Sequence, residues 1–176
     1  MERYTGTAYV SVVTRRTANT NTSESLDPER LGVACVGVMK NGDFYFFEEE
    51  NLDDLLSILK ESERVVGVSD FVVDALKAYD GTEKIEFVGV LDAVNRHLGD
   101  GKRVSFNNVT KNSLGKERPD MRSLPLDWES GRKESVRHGL RKDLRLLKEI
   151  DEKIHVDGRV TVRDPDTFEE RAVDVV

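Results

Sequence analysis

The sequence predicts an α/β fold: a mixed sheet of three antiparallel strands and then parallel strands, flanked by helices and closed by a C-terminal β-hairpin. Three observations lead there. The apolar runs LGVACVGVMK and DFYFFEE flank Asn41-Gly42, a dipeptide suited to a tight hairpin turn because both residues tolerate positive φ. RVVGVS and KIEFVG are short apolar runs, each followed by a helical pattern, as strands of a buried parallel sheet are. RKESVRHGLRKDLRLLKEIDE is the longest helical pattern in the chain and supplies a face to pack on that sheet.

Taken in order, GTAYVSVVT alternates aromatic and β-branched residues and reads as the first strand, followed by the polar loop TANTNTSESLDPER. The hairpin strands come next. LDDLLSILKESE sets Leu52, Leu55, Leu56 and Leu59 at helical spacing and is entered from Asn51 as a cap. RVVGVS is the fourth strand, and Ser69 caps a helix, DFVVDALKAYDG, that stops at Gly81. KIEFVG is the fifth strand and VLDAVNRHLG a helix after it. VSFNNVTKNSLG reads as a further helix and RPDMRSLPLDWESG as a Pro-containing loop. After the long helix, KIHVDGRVTVRDPDTFEERAVDVV reads as strands joined by turns at Asp157-Gly158 and Asp164-Pro165. No repeat or linker divides the chain, so residues 1–176 are expected to form one domain.

A charged fraction of 35% against 38% hydrophobic, with net charge −7, describes an acidic globular protein rather than a disordered one. No apolar run reaches the roughly 18 residues of a membrane span and MERYTG has no signal-peptide character, so a cytoplasmic protein without a membrane partner is expected. Cys35 is the single cysteine and sits in an apolar run, which leaves neither a disulfide nor a cysteine metal site within the chain. Glutamine is absent while Glu, Lys, Arg and Val abound, a bias in the direction of thermophilic proteins.

Val136, Leu140, Leu147 and Ile150 define the buried face of the long helix, and Asp143 falls in its middle. A buried carboxylate has to be neutralised. An ion pair with a residue such as Arg141 or Lys148, a position at the helix edge near water, or a bound metal would each do it. Asp70 and Asp74 stand four apart on the helix after RVVGVS and so share a side of it. Asp70 suits the positive helix N-terminus, whereas Asp74 lies too far in for that.

Six strings in a fixed order and spacing, LGVACVGVMKNGDFYFF, RVVGVSDFVVDAL, VLDAVNRHLG, VSFNNVTKNSLGK, LPLDWESGR and RHGLRKDL, with the terminal VDGRVTVRDPDTFEERAVDV, carry a resemblance. From Tyr9 to the C-terminus the chain resembles the ribonuclease H-like, DEDD-type exonuclease domain of YprB-type proteins, which is also fused to some bacterial helicases. The resemblance implies a 3′-to-5′ exonuclease fold in which four carboxylates hold two divalent metals, Mg²⁺ or Mn²⁺, for phosphodiester cleavage. Asp74 matches the third acid and Asp143 the fourth. Ser11 and Val13 stand where the first strand would carry its two acids, Thr14 stands where a Thr usually follows, and Gly139 replaces a Tyr. Hydroxyl and isopropyl groups cannot bridge two divalent cations, so a degenerate, non-catalytic site with no cofactor is expected, Asp74 and Asp143 being its remnant ligands should a metal bind. The alternative is an active metal-dependent exonuclease that recruits Asp70, Asp92, Glu24 or Asp27 as substitutes.

Residues 96–148 hold fourteen Lys or Arg against seven Asp or Glu, a net of +7 that leaves −14 for the remainder. Lys133, Arg137, Arg141 and Arg145 recur every four residues as a basic stripe on the long helix. The stripe reads either as a solvated face that partners the acidic half or as a phosphate-binding surface for single-stranded nucleic acid, with Lys102, Arg103, Lys116 and Arg118 as neighbouring contacts. His97, His138 and His155 are scattered, and Trp128 reads as a packing anchor rather than a base-stacking platform. A third functional class, a protein-interaction module of a helicase or repair assembly, fits the same scaffold.

Overall fold

A computed structural model of the chain describes residues 6–15, 32–69, 76 and 82–175. β1 (Thr7–Thr14) is central, with β2 (Val33–Lys40) antiparallel on one edge and β4 (Arg64–Gly67) parallel on the other. β3 (Asp43–Glu48) pairs antiparallel with β2 across Asn41-Gly42, where φ is 54° and 88°, and β5 (Glu86–Gly89) pairs parallel with β4. The resulting order, β3-β2-β1-β4-β5, is the expected succession of antiparallel and then parallel strands. The helices are α1 (Leu52–Lys60), α2 (Val90–Leu98), α3 (Phe106–Leu114), α4 (Leu124–Glu129) and α5 (Lys133–Asp157). β6 (Arg159–Arg163) and β7 (Glu170–Asp174) form the separate C-terminal hairpin. No helix among the described residues is long and apolar enough to cross a membrane.

The structure differs from the sequence pattern in three places. The Pro-containing stretch expected as a loop forms α4, because Pro125 lies in the first turn, where its missing N–H is no loss, and Leu124 beside it is buried. KIHVD, expected as strand, prolongs α5 by more than a turn: Ile154 continues the stripe of Ile150 against the core, and the helix stops only at Gly158, whose N–H donates to the Ile154 carbonyl at 2.8 Å from the left-handed conformation. Asn51 makes no side-chain cap, since a 3₁₀ turn over Glu49–Asn51 already precedes α1. The helix assigned to Ser69 and its successors lies outside the described residues except for Leu76, which is helical and 2% exposed.

Strand alternation decides what each face of β1 meets. Ala8 and Val10 join Leu55, Leu59 and Leu76 in the core beneath α1, while Tyr9 and Val13 point to the side covered by α5. Ser11 lies between them on the α5 side, opposite Gly37 of β2. Leu140, Leu144, Leu147 and Ile150 of α5 are fully buried, each stabilising the fold by roughly 1.5–3 kcal/mol. The helix comes close enough that a Cβ on Gly37 would sit 3.2 Å from the Leu140 Cβ and the Leu144 Cδ1. The hairpin is held by α3: Ser113 Oγ donates to the Thr161 carbonyl and accepts from its N–H, and Asn108 does the same with Arg163. Side chains thus occupy the backbone edge that β6 would otherwise leave open.

The contact at Gly37 predicts that Gly37→Val lowers stability by about 1–3 kcal/mol, because the helix backbone behind Leu140 cannot give way. A thermal melt should show a loss of roughly 2–4 °C per kcal/mol, and an unchanged melting temperature would mean that α5 packs more loosely than described.

Candidate functional site

Asp143 is 0% exposed and faces β1. Ser11 Oγ donates to its Oδ2 at 2.7 Å. Arg118, from the segment between α3 and α4, donates Nε to Oδ1 at 2.6 Å and Nη2 to Oδ2 at 3.0 Å. The expected ion pair is therefore present, but with Arg118 in place of Arg141 or Lys148. Arg118 is itself held: its backbone N–H donates to Asn107 Oδ1 at 2.7 Å, and its guanidinium lies 5.1 Å from the Phe106 ring centre. A residue 25 positions away could be matched to Asp143 by no helical or strand period.

Asp74, Asp70, Glu24 and Asp27 lie outside the described residues. Among those described, no group of three or more His, Cys, Asp or Glu side chains is placed to hold a metal ion. Val13 is 2% exposed and packs with Cys35, Leu124 and Leu140. Among the described residues, then, Asp143 accepts from the Arg118 guanidinium on both oxygens and from the Ser11 hydroxyl on Oδ2, a set that does not fit a two-metal centre, which needs several anionic oxygens. At Gly139 a Cβ would meet two Leu124 methyl carbons at 3.0 Å, so a tyrosine there requires the Leu124 side chain to move. Burial pushes the Cys35 thiol up to about 11, which keeps it an unreactive core residue.

A second acid on α5 escaped the sequence reading. Asp151, 1% exposed, accepts from Tyr9 Oη at 3.0 Å and from both terminal nitrogens of Arg64 at 2.7 and 2.9 Å. Its spacing from Leu140, Leu144 and Leu147 was the available signal, since it continues the same face. Burial and then the Asp151 charge raise the Tyr9 pKa, so the phenol stays a donor. Burial opposes the Arg64 charge, but its hydrogen bonds to Asp151 outweigh that and leave its pKa above the ordinary value. Arg64, Asp151 and His155 line a groove of about 460 Å³ together with Val88, Ala93 and Ile154.

The basic residues divide among three settings. On the α5–β3 side, Lys133 donates to both Glu48 oxygens at 3.0 and 3.1 Å and lies 4.8 Å from the Trp128 ring centre, while Arg137 pairs with Glu134. Arg141 lies over Phe46 at 4.9 Å and Arg145 over Phe44 at 5.2 Å. The match arises because four helical residues rise about 6 Å and two strand residues about 6.8 Å. Lys116 pairs with Glu149 of α5, close to the Arg118–Asp143 pair in sequence. Lys102 and exposed Arg103 line a cleft of about 480 Å³ with Asp92, Asn95 and Arg96, and Lys102 bonds Asp164 and Asp166 of the hairpin turn. The Asp166 backbone N–H and the Lys102 ammonium hold the Asp164 carboxyl down to about 2. The hydrogen bonds to Asp164 and Asp166 in turn raise the Lys102 pKa.

Compared with known proteins, the chain matches no family and no curated protein. The class its fold defines is a mixed α/β domain with a five-stranded sheet and a C-terminal hairpin.

Two predictions follow from these contacts. Arg118→Ala and Arg64→Ala should each lower stability by about 3–5 kcal/mol in denaturant unfolding, because each strands a buried carboxylate. The paired change Arg118→Met/Asp143→Leu should cost far less, and equal losses for the single and the paired change would show that charge burial is not the cause. Asp164, with its folded-state pKa depressed, contributes stability that is present above the unfolded value near 3.8 and is lost as pH falls toward about 2. Carboxyl NMR should show its midpoint near 2 and a shift upward in Lys102→Ala; a midpoint near 3.8 in the unaltered chain would contradict the turn geometry.

Proposed function

We propose that this chain is a catalytically silent domain of the ribonuclease H-like, DEDD-type exonuclease group that binds single-stranded nucleic acid on the face formed by α5 and β3. The observation that carries the binding is the ladder of cations on aromatic rings, Arg145 on Phe44, Arg141 on Phe46 and Lys133 on Trp128. A guanidinium held near a ring has N–H groups with which to meet phosphate oxygens, and the half-buried rings beside it add aromatic surface of the kind that single-strand binders use. Trp128 in this reading serves both packing and contact. The silence of the site is supported by Arg118 and Ser11, which engage both oxygens of Asp143.

A protein-interaction module of a helicase or repair assembly is the second reading. It is favoured by the in-chain pairing of Lys133 with Glu48 and Arg137 with Glu134, and by Phe168, 72% exposed in the hairpin turn. The exonuclease reading with substitute acids rests on residues outside those described and on Asp92, which lines the cleft beside Lys102.

Fluorescence anisotropy with a labelled single strand should show micromolar or weaker binding at about 50 mM salt, falling steeply as salt is added. Arg141→Ala/Arg145→Ala should reduce the slope of log affinity against log salt by about one unit per lost phosphate contact, whatever the base sequence. An unchanged slope, or no binding at all, moves the assignment to the interaction module. The same strand should remain full length in Mg²⁺ or Mn²⁺, and shortening that disappears in Asp143→Asn would restore the exonuclease.

A further inference from the structure

The groove of about 460 Å³ beside the Arg64–Asp151 pair is lined by β5, by α2 and by the last turns of α5, at the other edge of the sheet from β3. We propose that this groove binds a small organic cation, an ammonium group carried on an apolar alkyl or aryl body. Val88, Ala93, Ile154 and Val175 line it and are only half-buried, so such a body would cover apolar surface that the fold leaves partly in water. The volume lies in the usual range of small-molecule sites, about 300–1,000 Å³.

The charge of the occupant follows from the polar lining. With the imidazoles neutral, Arg64 is the one cation among the described lining residues, against the carboxylates of Asp151 and Glu86. Both terminal nitrogens of Arg64 are bonded to Asp151. An entering carboxylate or phosphate would have to draw Arg64 away and strand an acid that is 1% exposed. Glu86, exposed at the rim, is the charge that an ammonium group would meet. Two helix ends act in the same direction. α2 stops at Gly99 and α5 at Gly158, and His97 and His155 in their last turns both line the groove, so the negative ends of two helix dipoles face it. His97 Nδ1 lies 2.8 Å from the Ala93 carbonyl, which can only accept, so Nδ1 carries the proton and Nε2 of the neutral ring is an acceptor for an ammonium N–H. Acceptors and negative potential around apolar walls are the reverse of a phosphate site. The inference is independent of nucleic-acid binding, which is assigned to the other edge of the sheet.

The test titrates the full chain with phenethylammonium, phenethyl alcohol and phenylacetate, which share a ring and differ in charge, and follows methyl and imidazole NMR signals. Phenethylammonium should shift Val88, Ala93, Ile154 and His97 together and saturate at about 1 mM or below, with phenylacetate roughly tenfold weaker or more. Glu86→Gln, an exposed and nearly isosteric change, should weaken phenethylammonium by about two- to fivefold and leave phenethyl alcohol unchanged. Ala93→Leu should weaken all the probes by filling the groove, and the Glu86→Gln comparison stands whether or not that variant folds. The proposal is overturned by no saturable shift up to about 10 mM, or by shifts that fall away from these residues. Phenylacetate binding as tightly as phenethylammonium, an unchanged affinity in Glu86→Gln, or an equal loss there for phenethyl alcohol would overturn it as well.

Discussion

Two aspartates buried on one face of α5 set the terms for the rest of the molecule. Taking an ionised carboxylate out of water costs several kcal/mol even after relaxation, so each has to bring compensating groups with it. Both do so in the same way: Asp143 takes a hydroxyl from Ser11 and a forked guanidinium from Arg118, and Asp151 takes a hydroxyl from Tyr9 and a forked guanidinium from Arg64. The acids are about 12 Å apart along the helix, while Tyr9 and Ser11 are about 6.8 Å apart along the strand. The longer tyrosine side chain makes up the difference. The two clamps together fix α5 antiparallel to β1 and tie in β4 through Arg64 and the segment after α3 through Arg118.

Such clamps act on register more than on total stability. Leu140, Leu144 and Leu147 are alike in side chain and burial, so a slip of one helical turn would exchange one for another and apolar packing alone discriminates weakly against it. The same slip would leave two carboxylates and two guanidinium groups buried without partners. Gly37, which admits the helix to within 3.2 Å of a would-be Cβ, allows the close approach that the short Ser11–Asp143 bond requires. The identity of the cation at Asp143 then follows from geometry, since a hydroxyl and a valine beside it leave one anionic group, which a guanidinium satisfies.

The charge asymmetry of the sequence is partly undone in space. Lys133 reaches Glu48, and Lys102 reaches Asp164 and Asp166, so acids from outside the basic run of residues 96–148 balance cations within it. The exposed Lys133–Glu48 pair stabilises by roughly 0–1 kcal/mol, whereas Lys102–Asp164 is part-buried. What sets the α5–β3 side apart is the pair of aromatic rings, Phe46 and Phe44, beneath Arg141 and Arg145.

Local signals in the sequence were sufficient for the succession of antiparallel and then parallel strands and for the inward face of α5, because a turn dipeptide, a period of two and a period of 3.6 each act over a few residues. Asn41-Gly42 makes its hairpin, and Asp143 is buried in the seam where its spacing puts it. The helical state of LPLDWE and of KIHVD was decided elsewhere, by the burial of Leu124 and Ile154 against partners distant in the chain. The candidate site divides along the same line. That Asp143 needs a counter-ion is written in its position on the stripe, and that positions 11 and 13 lack acids is written in VSVVT. That the counter-ion is Arg118, and that Asp151 repeats the arrangement with Tyr9 and Arg64, was decided only by tertiary structure. Neutralising a buried charge is a requirement that sequence can state, but the residue that meets it is whichever one the fold brings within 3 Å, and proximity across 25 or 87 positions leaves no periodic trace.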